Sequence, residues 1–159
     1  MKPTLIMSID PGLSGAVAVY NPSSKSLISV KDMPVHTDKK GRRRIDAYEL
    51  SLYVGAYAPD IRFAVIEKVG PMPHDGVVQA FRFGYGTGIA AGVLSAHMLQ
   101  IVEAESAAWK SAMGLSRDKN LSRTRAMTLF PKEATLFKRA KDDGRAEAIL
   151  MAVFAARYI

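Results

Sequence analysis

Two acidic side chains close apolar runs in this sequence, and their placement is the first suggestion of chemistry. Asp10 follows the run 4–9 (TLIMSI), and Glu67 follows 62–66 (RFAVI). If those runs are adjacent parallel strands, both carboxylates reach the sheet edge outside the carboxyl ends of the strands, where α/β sheets bind their ligands. Only Lys68, beside Glu67, offers a sequence-local cation, and neighbouring carboxylates repel unless a divalent cation lies between them. A solvated strand end accounts for either acid alone but poorly for both together. A second pair lies in the stretch 142–158, where Ala146, Ile149, Leu150, Val153 and Phe154 recur at helical spacing. Helical positions four apart lie about 40° from one another, and positions five apart diverge by about 140°. Glu147 therefore shares a face with Asp143 and not with Asp142. Helix capping accounts for Asp142 and competes for Asp143, but it leaves Glu147 unexplained. Asp10, Glu67, Asp143 and Glu147 thus read as an oxygen-only cage suited to Mg²⁺ or Mn²⁺ over zinc or copper. In a basic chain such a cage suggests phosphodiester hydrolysis with two ions about 4 Å apart, one activating water and one stabilising the leaving 3′-oxygen.

The elements that must position these acids follow from composition and pattern. The chain has 159 residues, 48% hydrophobic and 23% charged, which fits one folded domain of 1–159 and argues against long disorder. Cysteine is absent, which excludes disulfides, thiolate nucleophiles and cysteine-based metal sites. A net charge of +7 points to a polyanion, most often nucleic acid. The uncharged stretch 83–99 carries four glycines and His97 and is shorter than the ~20 apolar residues a membrane span needs. The start, MKPTLIMSID, has no signal-peptide pattern. No membrane partner and a cytosolic location are expected.

Residues 4–9, 16–20 and 26–31 are β-rich runs separated by turn chemistry and read as an antiparallel meander. The segment 33–44, with Pro34, Gly41 and five Lys/Arg, reads as a loop. Asp46 is a fitting N-cap for a helix over 47–57 that Pro59 terminates. Strands at 62–66 and 100–104 and helices at about 75–98, 106–113, 119–130 and 143–158 complete an α/β fold: a mixed sheet covered by helices.

Five segments, IDPGLSGAVAV at 9–19, AVIEKVGPMP at 64–73, FGYGTGIAAGVL at 83–94, AWK at 108–110 and DDGRAEAILMA at 142–152, together resemble RuvC-type Holliday-junction resolvases, most nearly the phage-like branch. The resemblance runs in order along nearly the whole chain. It implies a ribonuclease-H-like fold with a five-stranded mixed sheet, a homodimer, and an Mg²⁺-dependent endodeoxyribonuclease making paired symmetric nicks in four-way DNA junctions. It also implies a nucleoid-associated or phage-encoded protein, two metal ions per site, Mn²⁺ as a substitute, and no small-molecule cofactor. Asp10, Glu67 and Asp143 match the family's first three metal-binding acids. The fourth is commonly an Asp three positions after the third, where this chain has Glu147 four positions on, still on the same helical face. Lys110 and Lys119 match lysines that contact the scissile backbone.

From Lys110 to Arg145 there are ten Lys/Arg against four Asp/Glu, a cationic surround for the acids that favours backbone phosphates. Arg117, Lys119 and Arg123 are its candidate DNA contacts. Lys39, Lys40, Arg42, Arg43 and Arg44 form a second basic candidate, and Met72 and His74 are candidate junction probes after Glu67. Gly84, Gly88 and Gly92 recur every four residues, a helix-weakening pattern that calls for close backbone approach. Tight packing on the sheet is one reading, and the resemblance implies the other, a dimer interface. Phe81, Phe83 and Tyr85 have core-like spacing, with base stacking as the alternative, and Trp109 reads as buried core. Rival functions are a ribonuclease-H- or transposase-type nuclease and a non-catalytic junction-binding protein. A sugar-kinase or actin-type ATPase, suggested by DPGLSG, needs two such domains and does not fit this length.

Overall fold

Along the first strand, side chains alternate between two buried faces, and that alternation sets the architecture. In the computed structural model, which describes residues 4–68, 70, 76–116 and 118–158 (Lys119 by its main chain alone), β1 (Leu5–Ile9) sends Ile6 into one core and Met7 and Ile9 into the other. A strand apolar on both faces belongs at the centre of a sheet covered on both sides. The sheet contains β2 (Ala16–Asn21), β3 (Ser26–Asp32), β6 (Ile61–Lys68) and β7 (Ile101–Glu105), in the order β3-β2-β1-β6-β7. β1, β2 and β3 pair antiparallel, whereas β1–β6 and β6–β7 pair parallel. The expected meander and mixed five-stranded sheet are both present.

On one face pack α1 (Ala47–Tyr57) and α2 (Val77–Ala96); on the other, α3 (Ser106–Ala112), α4 (Lys119–Leu129) and α5 (Asp143–Tyr158). Asp46 caps α1, its carboxylate accepting the N–H groups of Tyr48 and Glu49, each at 3.1 Å. α5 is buried beyond the apolar stripe that its helical spacing marks: Ala146 and the whole run Ala148–Val153 are buried. The sheet, α3, α4 and the 3₁₀ turn Pro131–Phe137 enclose it, and small side chains at Ala146, Ala148 and Ala152 let these neighbours approach. Among the described residues no helix is long and apolar enough to cross a membrane.

Two further expectations need correction. The 33–44 segment is not simply a loop, because β4 (Val35–Thr37) and β5 (Arg43–Ile45) form an antiparallel hairpin. Its turn is set by Asp38, whose carboxylate accepts the N–H groups of Lys40 at 2.8 Å and Arg42 at 3.0 Å and pairs with the Arg42 guanidinium at 2.7 Å. Gly41, at φ +75°, takes the left-handed position. The second correction concerns α2. Its buried side is Gly86, Ala90, Val93 and Leu94, so the glycine ladder does not pack on the sheet. A Cβ at Gly84, Gly88 or Gly92 would meet nothing within 4 Å. Phe81, Phe83 and Tyr85 are exposed at 71%, 39% and 45% and are not core.

Candidate active site

Parallel pairing brings the first two acids together. The register places Ile9 of β1 opposite Ile66 of β6, so the next residues, Asp10 and Glu67, are neighbours at the carboxyl edge. Both follow the parity of Ser8 and Val65, which face α5. Ser8 Oγ donates to the Ala148 carbonyl at 2.5 Å and ties β1 to that helix. The N-terminal end of α5 sits directly on the β1–β2 turn. A Cβ at Gly144 would collide with the Ser14 carbonyl and the Gly15 backbone, and one at Gly15 with the Asp10 carbonyl. Glycine at these two positions lets α5 approach close enough for its acids to share a groove with Asp10.

That groove has a volume of about 1230 Å³ and is lined by Asp10, Glu67, Asp143 and Glu147, by Lys110, and by Arg42, Arg43 and Arg44 on the hairpin. Asp10 Oδ1 accepts the Gly12 N–H at 3.3 Å. Burial, then the charges of Glu67 and Glu147, push the Asp10 carboxyl up to about 7, against the opposing pull of the Gly12 N–H and Lys110. Glu67 Oε1 accepts the indole N–H of Trp109 at 3.1 Å. Lys110 Nζ lies 4.0 Å from Glu67 Oε1 and 3.5 Å from Glu147 Oε2, and Ser122 Oγ donates to Glu147 Oε1 at 3.4 Å. Among the described residues no three acidic or histidine side chains are drawn tightly enough to hold an ion as they stand. The donor chemistry nevertheless suits a hard divalent cation: the oxygens face one groove, Asp10 is electrostatically unsatisfied, and one ammonium bridges two of the acids.

Asp142 is separated from the groove. It is buried, accepts from Arg139 Nε and Nη2 and from the Arg139 N–H at 2.8–3.2 Å, and lies 3.9 Å from Arg145. Hydrogen bonds from Arg139, outweighing burial, hold its carboxyl below the usual range. Arg145 in turn pairs with Asp32 of β3 at 2.5 Å. Asp142 is a structural anchor and Asp143 the groove acid. Of the basic candidates, Lys39 and Lys40 are at the hairpin tip outside the groove lining. Arg123 donates to the Lys138 carbonyl and to Asn120 and does not line the groove either. Met72, His74, Arg117 and the Lys119 side chain lie outside the described residues. Sequence reasoning missed three contributors: Trp109 and Ser122 as donors to the acids, and Arg82 on the groove wall. The adjacency of Trp109 to Lys110 is the one available hint.

The strand order, the mixed pairing and the acids on β1, β6 and the C-terminal helix define a ribonuclease-H-like fold. Within that class the chain has the fold of RuvC. Thermus thermophilus RuvC solved in complex with a Holliday junction substrate is similar with a TM-score of 0.64 and 13% identity, covering 97% of this chain and 95% of that one. A second T. thermophilus RuvC structure is similar at a TM-score of 0.54 and 14% identity, covering 97% and 96%. In sequence, the chain is 28% identical over 103 residues to the chloroplastic Holliday junction resolvase MOC1 of Chlamydomonas reinhardtii. That match covers 64% of this chain and 12% of the relative's length. No protein-family model matches the chain.

Proposed function

We propose that this chain is a structure-selective endodeoxyribonuclease that resolves four-way DNA junctions by paired nicks, as one domain working in a homodimer. The observation that carries the reading is the groove itself, in which acids from two strands and a helix face a wall of hairpin arginines in a RuvC fold. Asp10, Glu67, Asp143 and Glu147 would hold Mg²⁺ or Mn²⁺, which when bound supplies Lewis-acid stabilisation of charge at the scissile phosphate. The remaining groups act on the DNA. Arg42, Arg43 and Arg44 pair with backbone phosphates, in a manner that positions the strand without reading its sequence. Lys110, already between two acids, places its ammonium beside the phosphate they address. The outward side of α2, with open space over Gly84, Gly88 and Gly92, suits a second copy. A two-fold dimer would match two grooves to a two-fold junction.

The test is cleavage of a synthetic immobile four-way junction beside matched duplex, fork and RNA–DNA hybrid controls. Symmetric nicks in the junction alone are expected, and Asp10→Asn and Glu67→Gln should abolish nicking while retaining junction binding. Preferential cutting of the hybrid would assign the groove to a ribonuclease-H-type activity. Tight junction binding in Mg²⁺ without any nick would leave only a binding protein.

A further inference from the structure

We propose that Trp109 is a positioning residue: its indole edge sets the carboxylate of Glu67 while its indole face seats the ammonium of Lys110. Trp109 is 1% exposed in α3, and a buried indole N–H is a donor that needs an acceptor. Its acceptor is Glu67 Oε1, at 3.1 Å and 42 residues away in sequence. Among the described residues no buried side-chain nitrogen or oxygen lacks a partner, so the pairing is part of a fully satisfied interior. The indole has no acceptor and does not lose its proton in the working range of pH. It therefore holds Oε1 in one direction and leaves Oε2 for another partner. The Lys110 ammonium lies 5.2 Å from the centre of the same ring, a cation–π distance. From there it reaches Glu67 at 4.0 Å and Glu147 at 3.5 Å. One rigid, buried ring thus orients an acid from β6 and a cation from its own helix, and through that cation meets the acid on α5. A tryptophan that only filled the core would still need an acceptor for its N–H, but that acceptor need not be a groove acid, nor would its ring need the ammonium that bridges two such acids.

The inference rests on the reading of the groove as a divalent-cation site. Partners that orient a metal ligand typically contribute 10–100-fold to metal affinity, which sets the expected effect. Trp109→Phe keeps an aromatic ring and removes the N–H. Mn²⁺ binding by the whole 159-residue chain, followed by the loss of the free-ion electron paramagnetic resonance signal, should weaken about tenfold or more in this variant. The fold, checked by circular dichroism, should be retained.

Trp109 is also the chain's single tryptophan, so the wild type carries its own probe, which serves even if the variant fails to fold. Titration with diamagnetic Mg²⁺ at constant ionic strength should change its emission saturably. The midpoint should equal the Mg²⁺ affinity found by competition with Mn²⁺, and Glu67→Gln should abolish the response. Flat emission while Mn²⁺ binds, or equal Mn²⁺ affinity in a folded Trp109→Phe variant, would overturn the positioning role and leave the metal groove standing. Absence of Mn²⁺ binding by the wild type, even with junction DNA present, would instead overturn the groove reading on which this inference depends.

Discussion

Replacing Asp10 by Asn removes a charge from the groove while nearly conserving shape, and the asparagine oxygen can still accept the Gly12 N–H. In the native protein burial, Glu67 and Glu147 push this carboxyl from 3.8 up to about 7. Unfolded Asp10 loses its proton near pH 4, whereas folded Asp10 keeps it until about pH 7. Between those values the folded state binds the extra proton, so Asp10 makes stability fall as pH rises from about 4 to 7, with no further loss above that. The interval from 3.8 to about 7, at about 1.4 kcal/mol per pH unit, amounts to about 4 kcal/mol. At about 2–4 °C per kcal/mol for a chain of this length, Asp10→Asn should melt about 8–16 °C above the wild type at pH 8 in EDTA. The gap should vanish near pH 4, and Mg²⁺ should narrow it at pH 8 by stabilising the wild type. The assay is calorimetric melting of both proteins across pH. Equal melting temperatures at pH 8, or an undiminished gap at pH 4, would refute the argument that the acids repel one another in a partly dry groove.

Gly144→Ala drives a methyl group into the Ser14 carbonyl and Gly15 backbone, an overpacking worth about 2 kcal/mol. Calorimetry should show melting about 4–8 °C lower, and an unchanged value would mean that α5 does not sit so close to the turn. Asp142→Asn strips Arg139 and Arg145 of their buried partner and should destabilise by about 1–3 kcal/mol in denaturant titration while leaving Mn²⁺ affinity intact. Asp143→Asn should do the reverse, and interchanged results would make Asp142 the groove acid. The lowered carboxyl of Asp142 contributes stability that is present above the ordinary carboxylate range and lost as pH falls through its depressed value. Wild type should therefore lose more stability than Asp142→Asn in acid. Changing Arg42, Arg43 and Arg44 together to Gln should weaken junction binding and flatten its dependence on salt, by about 0.9 in logarithmic slope for each phosphate no longer neutralised. An unaltered slope in fluorescence-anisotropy titrations would remove the hairpin from the DNA path.

The sheet and two of the groove acids, Asp10 and Glu67, are legible in the sequence because burial on both faces of a central strand imposes unbroken apolar runs, and each run ends at its acid. The choice of Asp143 over Asp142 follows from helical geometry with Glu147, and Arg139 and Arg145 supply the physical complement by engaging Asp142. The hairpin is harder to read. Its strands have three residues each, too few for alternation to stand out against five basic side chains, and Asp38 organises its turn through hydrogen bonds that composition does not display. The aromatics of α2 share core-like spacing, yet the helix buries Gly86 and Ala90 instead. The link from Trp109 to Glu67 exists only once α3, packed against β7 and α5, brings the indole to the end of β6, and no local pattern announces it.

The central claim is that acids from β1, β6 and α5 close around divalent ions to address one phosphate. Its most direct test is a crystal of the protein with a four-way junction and Mn²⁺, read by anomalous scattering. Two peaks about 4 Å apart are expected among the oxygens of Asp10, Glu67, Asp143 and Glu147, against the DNA backbone. DNA in the groove with no anomalous peak among those side chains would contradict the account.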